Sequence, residues 1–366
     1  VAVVCIFALG MQATGCAPEV PSPDKTEPVV NFYNWFDYIG PQTLEEFTRE
    51  TGIKVNYDVY DSDETLEGKL LAGNTGYDLV VPTATRFARQ REAGLFHPLD
   101  WSRLANAGGL DPYLMEQLAG LDPGNQFAVP HSWGTTGLSY DSDQIGARMP
   151  DAPFDSWALI FDPDVVRNFA DCGVTLLDAP ADVLQSALIY MGRDPASEST
   201  TDLSDAIAVI ARIRPFVRYF HSSQFVDDLA NGEICLALAW SGSAFLALHS
   251  STNSNLKYMI PKEGGLLWFE VMAIPADASH IDNAHRLIDH LLIPRVAADF
   301  TNATFYPNAV ASALAGVDAT IRDEPAIYPP VSVRQRLFST PPETLAYERR
   351  RLRAWTAMKS GSGDGH

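Results

Sequence analysis

Two hydrophobic rhythms take turns along this chain, one of period two and one of helical spacing. Val29–Trp35 is an apolar, β-rich run. Thr43–Thr51 places Leu44 and Phe47 on one face of a helix and is followed by Gly52, a stop signal. Lys54–Tyr60 alternates apolar and polar residues, Glu64–Ala72 is helical again, and Asp78–Pro82 reads as a short buried strand. The rhythm resumes after Trp133. Val174–Leu177 and Ile234–Trp240 are apolar enough to be buried strands, and Thr201 is placed to cap a helix carrying Leu203, Ile207 and Ile210, stopped by Pro215. Leu287, Ile288, Leu291 and Leu292 form a further stripe that ends at Pro294. Strands alternating with helices predict an α/β fold with mainly parallel sheets. Two runs stand apart: Ala17–Pro28 is polar and Pro-rich, a tether, and Arg349-Arg350-Arg351-Leu352-Arg353 is basic and reads as a solvated helix face.

At 366 residues the chain is long enough for about two globular units. Its formal net charge of −20 argues against nucleic acid, whose phosphates require a basic surface, and suits a cationic ligand. The first residues read as a processing signal. Val1–Leu9 is an apolar segment that begins without an initiating Met or basic residues, as if inside a signal peptide. Gly10–Gly15 then leads into Cys16 in the manner of a bacterial lipobox, with Ala13 where Leu is commoner. The expected outcome is a lipid anchor on Cys16; the alternative is an ordinary cleaved signal. No later run is long and apolar enough to span a bilayer. Of four cysteines, Cys5 lies in the apolar segment and Cys16 is the lipid candidate, leaving Cys172 and Cys235. An even pair in an exported domain reads as a disulfide.

No catalytic signature is present. Trp240-Ser241-Gly242-Ser243 lacks the flanking glycine of a nucleophile elbow, because Ala239 stands in its place. His131 and His221 have no partner in sequence, and His280, His285 and His290 recur every five residues, which does not place them on one helix face. There is no phosphate-cradling glycine loop, so no cofactor or metal is expected. What recurs is an aromatic residue beside an acid near the ends of predicted strands, where α/β sheets bind ligands. Trp35, Asp37 and Tyr38 make one group; Trp240 ends a second strand; Trp268, Phe269 and Glu270 make a third; Asp178 and Asp182 follow Val174–Leu177. Carboxylates attract an organic cation and ring faces cover its methylenes. Each group also has a plainer reading: Trp268 and Phe269 as core, Asp37 as a cap, and Asp182 as a first-turn acid facing a helix dipole.

The same residues carry a family resemblance. Tyr33–Ile39, Tyr60–Pro82 (YDSDETLEGKLLAGNTGYDLVVP), Trp133–Tyr140 (WGTTGLSY), Cys172–Pro180 (CGVTLLDAP), Tyr219–Trp240, Ile260–Gly264 and Ile327–Pro330 together resemble the periplasmic polyamine-binding proteins of ABC importers, especially the putrescine-binding branch. The resemblance implies a two-lobed periplasmic-binding-protein fold of type II with the ligand in the cleft between lobes. It places residues 29–134 and 258–300 in one lobe, 135–257 and 301–360 in the other, and 361–366 in a tail. By motif position it implies that Trp35, Phe36, Asp37, Tyr38, Thr83, Asp182, Trp240, Ser243, Trp268, Glu270 and Tyr306 line the ligand site, and that Cys172 and Cys235 match the family's disulfide. It implies a monomeric periplasmic protein that is no enzyme, with a polyamine ligand and an importer permease as partners, touching the membrane only through a lipid anchor.

Three positions depart from the pattern. Ser243 stands where the putrescine branch carries an Asp, Phe36 replaces a small hydroxyl residue, and Arg86 replaces an apolar residue near the ligand. A bulky ring narrows a pocket and a guanidinium repels a cation. Alternatives from other classes are a sensor of the same fold signalling to a membrane partner, a hydrolase using Ser243 with a histidine, a ferric-ion binder, and a binder of another organic amine.

Overall fold

A computed structural model describes residues 28–360. The expectations for the signal peptide, for Cys16, for the tail and for nearly all of the tether lie outside the described residues. The strands are β1 (Val29–Trp35), β2 (Lys54–Tyr60), β3 (Leu79–Val80), β4 (Phe96–His97), β5 (Ala128–Asp141), β6 (Val174–Leu176), β7 (Val217–Phe220), β8 (Leu236–Trp240), β9 (Leu256–Met259), β10 (Gly265–Pro275) and β11 (Leu337–Phe338).

Two long strands organise everything else. β5 and β10 run antiparallel, from Leu266 opposite Thr136 to Ala273 opposite Ala128. On one side the sheet continues β10–β3–β1–β2; on the other it continues β5–β8–β6–β7. The far end of β5 pairs with both β8 and β9. The flanks are parallel, as the strand–helix alternation predicts. The middle is not: β10 is antiparallel to both β3 and β5. The expectation of mainly parallel sheets therefore holds for the flanks and fails at the crossing pair. The result is two α/β halves joined through β5 and β10, the two-lobed architecture that the resemblance implies.

Local chemistry explains the flanking elements. Central β1 buries Val30, Phe32, Tyr33 and Asn34, whereas edge strand β2 alternates exposed and half-buried residues from Lys54 to Asp58 and then exposes Val59 and buries Tyr60. The helix Thr43–Thr51 ends at Gly52, whose φ of +72° a side chain would strain and whose N–H satisfies the Thr48 carbonyl. The helix Thr200–Ile213 is capped by Ser199 rather than Thr201: the Ser199 hydroxyl accepts from the amides of Thr201 and Asp202. Pro294 opens the helix Pro294–Thr304 as well as ending the preceding stripe.

Cys172 and Cys235 are disulfide-bonded, as expected. The C-terminal helix Leu345–Ser360 packs on the helices Pro180–Tyr190 and Thr200–Ile213. Asp178 anchors it by accepting from the Trp355 indole and pairing with Lys359. Its basic run is only partly a solvated face: Arg349, Arg350 and Arg353 are exposed, but Arg351 is buried and paired with Glu343 at 2.9 Å.

Candidate ligand site

β1 delivers Trp35 at its end and Asp37 and Tyr38 in the turn that follows. Asp37 adopts a φ of +53°, a left-handed conformation that Asp tolerates better than most side chains. Within β10, Trp268 and Glu270 are two residues apart and share a face, while Phe269 points into the opposite core. They sit mid-strand, next to the irregularity between Glu270 and Val271, rather than at a strand end as the sequence suggested. β8 ends at Trp240, and Ser243 follows in the first turn of the helix Ser241–Ser250. Asp182 lies in the first turn of Pro180–Tyr190, and Tyr306 lies just beyond Pro294–Thr304.

These elements bring most of the expected residues together. Tyr38, Phe300 and Tyr306 form a small apolar cluster of their own, with Trp35, Trp240 and Trp268 packed against it. Two glycines make the packing possible. A Cβ on Gly134 would lie 2.5 Å from the Trp268 ring, and one on Gly242 would lie 2.5 Å from the Tyr306 ring. The rings are oriented by polar contacts. The Trp35 indole donates to the Val81 carbonyl at 2.9 Å, and the Trp240 indole donates to Asp182 at 3.0 Å. Asp182 also accepts from Thr136 at 2.8 Å. The Tyr306 and Ser243 hydroxyls are 2.9 Å apart, and the Tyr38 and Ser132 hydroxyls 2.6 Å.

Glu270 is the exceptional group. It is 5 % exposed, one carboxylate oxygen has no hydrogen-bond partner among the described residues, and burial pushes its carboxyl well above the usual range, with Asp63 adding repulsion and Tyr38 opposing the shift. The Trp268 indole N–H beside it is likewise unpartnered. Burial also raises Asp182. Asp37 is exposed, raised by partial desolvation and by Asp227 of the helix Phe225–Ala230. His131, behind Tyr38, is pushed down to about 4 by desolvation and brings no positive charge at neutral pH.

Other expected residues behave differently. Phe36 is 60 % exposed, with its amide bonded to the Tyr60 carbonyl, so it does not fill the ring cluster. Thr83 donates to Asp63 at 2.9 Å, and its backbone bridges to Glu270. The Arg86 guanidinium is not a free charge repelling a cation. It pairs with Glu64 at 2.7 Å, with Glu67 at 3.1 Å and with Glu348, and Glu348 also holds Arg89. The Ser243 hydroxyl meets Tyr306 rather than a histidine, which removes the nucleophile–base pair a hydrolase needs. Asp63, Thr136 and Asp227 were not singled out from the sequence. Asp63 had a faint signal, an acid inside the motif YDSDETLEG, just before the helix expected over Glu64–Ala72.

A cluster of aromatic rings with desolvated carboxylates, set where two α/β halves cross, is the arrangement of a binding protein for a small solute. Residues 42–329 match the model of the bacterial extracellular solute-binding proteins, and the chain belongs to that family. It is 46 % identical over 338 residues to the putrescine-binding periplasmic protein of Escherichia coli (strain K12), covering 91 % of each chain. It is 38 % identical to the putrescine/agmatine-binding protein of Pseudomonas aeruginosa, covering 98 % of this chain and 99 % of that one. Its fold is similar to that of the spermidine/putrescine ABC transporter substrate-binding protein from Streptococcus pneumoniae, with a TM-score of 0.76 and 25 % identity over 91 % of this chain and 99 % of that one. These relatives are binding proteins, in keeping with the expectation that the chain is not an enzyme.

Proposed function

We propose that this chain captures a polyamine outside the cytoplasm and hands it to an ABC importer permease, working by binding and closure of its two halves without bond chemistry. The observation that carries this reading is Glu270, a buried acid with an oxygen unpartnered among the described residues, on the same strand face as Trp268 and interacting with Tyr38 of the ring cluster. An anionic group left unpaired in a desolvated site is costly, and an ammonium is the partner that relieves it. Trp35, Trp240, Trp268, Tyr38 and Tyr306 cover the ligand's carbons; Asp37 and Asp182 meet further amines. The relatives named for putrescine, agmatine and spermidine support the same chemistry. A thermal-shift screen against putrescine, spermidine, agmatine and amino acids tests it. At a hundredfold excess over Kd, a true ligand stabilises the native state by about 2.7 kcal/mol. No shift with any amine overturns the reading.

Selectivity follows from Ser243. With a hydroxyl where the putrescine branch has an acid, a short diamine lacks its second anionic partner, whereas a longer triamine reaches past to Asp182 and spreads over Trp268. Spermidine therefore binds more tightly than putrescine. Ser243→Asp improves putrescine binding by about 1.5–3 kcal/mol through a charge-assisted hydrogen bond. Parallel titrations of both proteins with both amines decide the point; an unchanged ratio, or a wild type that favours putrescine, refutes it.

The same reading places a monomer at the membrane surface through lipid on Cys16. Mass spectrometry of the membrane fraction is expected to find a lipidated N-terminal Cys16. An unmodified N-terminus at another residue counts against the anchor.

A further inference from the structure

Asp63 sits in the first turn of the helix Asp63–Ala72, and its setting is unusual for an acid there. One of its oxygens accepts from the Thr83 hydroxyl at 2.9 Å, while the other is buried without a partner among the described residues. Thr83 in turn bridges through its backbone to Glu270, whose own second oxygen is also buried and unpartnered. Two orphan acceptors from neighbouring acids thus lie on either side of one bridge. A primary ammonium carries three N–H donors for these acceptors and a charge that offsets theirs; a neutral donor supplies hydrogen bonds without the charge, and an anion repels both acids.

We propose that Asp63 and Glu270 form a paired-carboxylate pocket that takes one protonated end of the ligand, making Asp63 a specificity-determining residue. This rests on the polyamine reading above. The groups acting on the pair are Glu64 and Arg86 at Asp63, and Tyr38, Tyr60 and Tyr306 at Glu270. Arg86 is already committed to Glu64, Glu67 and Glu348, so the pair lacks a full counter-ion of its own. Without ligand the two acids retain protons to unusually high pH, Asp63 being pushed up to about 6, chiefly by burial. An arriving ammonium favours both ionised forms and expels those protons. Binding is therefore coupled to proton release, and affinity rises with pH through the range around 6, by at most about tenfold per unit for each proton released.

Calorimetry of the wild type and of Asp63→Asn with putrescine and with spermidine, at pH 6 in two buffers of different ionisation enthalpy, tests the pocket. The wild type is expected to release protons on binding. Asp63→Asn, which keeps an acceptor for Thr83, is expected to lose about tenfold or more in affinity and to release fewer protons. An unchanged affinity and proton count in Asp63→Asn overturns the pocket while leaving the polyamine reading intact. A wild type that binds neither amine overturns both. Should Asp63→Asn fail to fold, the wild type decides alone: a Kd that is flat between pH 5 and 7 with no proton release overturns the pocket, and tightening with release supports it.

Discussion

Glu270→Gln weakens polyamine binding by about a hundredfold or more, because removing one partner of a buried ion pair costs roughly 3–5 kcal/mol. The same substitution leaves the ligand-free protein at least as stable as the wild type. In the free protein Glu270 carries an oxygen without a partner, and its carboxyl sits well above the usual range, first through desolvation and then through Asp63. A raised folded-state pKa means that the folded form holds the proton more tightly than the unfolded form. Stability is then lost as pH climbs above the ordinary carboxyl range, and glutamine removes that loss. The thermal midpoint of Glu270→Gln relative to wild type should therefore increase from pH 4 to pH 8 without ligand, while its affinity collapses. Asp37→Asn costs less affinity, because Asp37 is exposed and water screens its charge. Calorimetry that finds unchanged affinity in Glu270→Gln removes the central support of the proposed site, and a variant less stable at every pH shows that the carboxylate is structural.

The contrast between Glu270 and Arg86 shows how much of this site the sequence carried. Short-range patterns were legible: Thr43–Thr51 and Lys54–Tyr60 fall where their periodicity puts them, with the alternation of Lys54–Asp58 matched by its burial and lost only at Val59 and Tyr60. β10 was harder. Its run Leu266–Ile274 is apolar on both faces apart from Glu270, so nothing in the pattern shows that Trp268 and Glu270 sit mid-strand at the crossover. The aromatic residues of the site were found because aromatics beside acids are locally visible. The fate of the charges was not. Arg86 is neutralised in part by Glu348, 262 residues later, and Asp63 gains its meaning only when Thr83 bridges to Glu270. Motif position found the residues; only the packing decides which carry an unpaired charge.

Removing the disulfide by Cys172→Ser with Cys235→Ser is expected to cost about 4 kcal/mol of stability, the chain-entropy value for closing a loop of this length. The two cysteines are 63 residues apart in sequence, yet they precede neighbouring parallel strands: Val174 of β6 pairs with Leu236 of β8. The bond thus pins the entry points of the two strands whose far ends lead to Asp182 and Trp240, which hydrogen-bond to each other. A loss of about 4 kcal/mol is a large share of the 5–15 kcal/mol typical of a folded protein. The variant should melt several degrees lower and unfold at clearly lower denaturant. Its amine affinity well below the melting temperature should change little, because β6, β8 and the Asp182–Trp240 contact keep their own hydrogen bonds. Chemical denaturation of the double serine variant, followed by titration with spermidine, separates the two effects. Equal denaturation midpoints for wild type and variant rule out a stabilising role for the bond. A variant that stays folded but loses spermidine shows instead that the bond sets the geometry of the site.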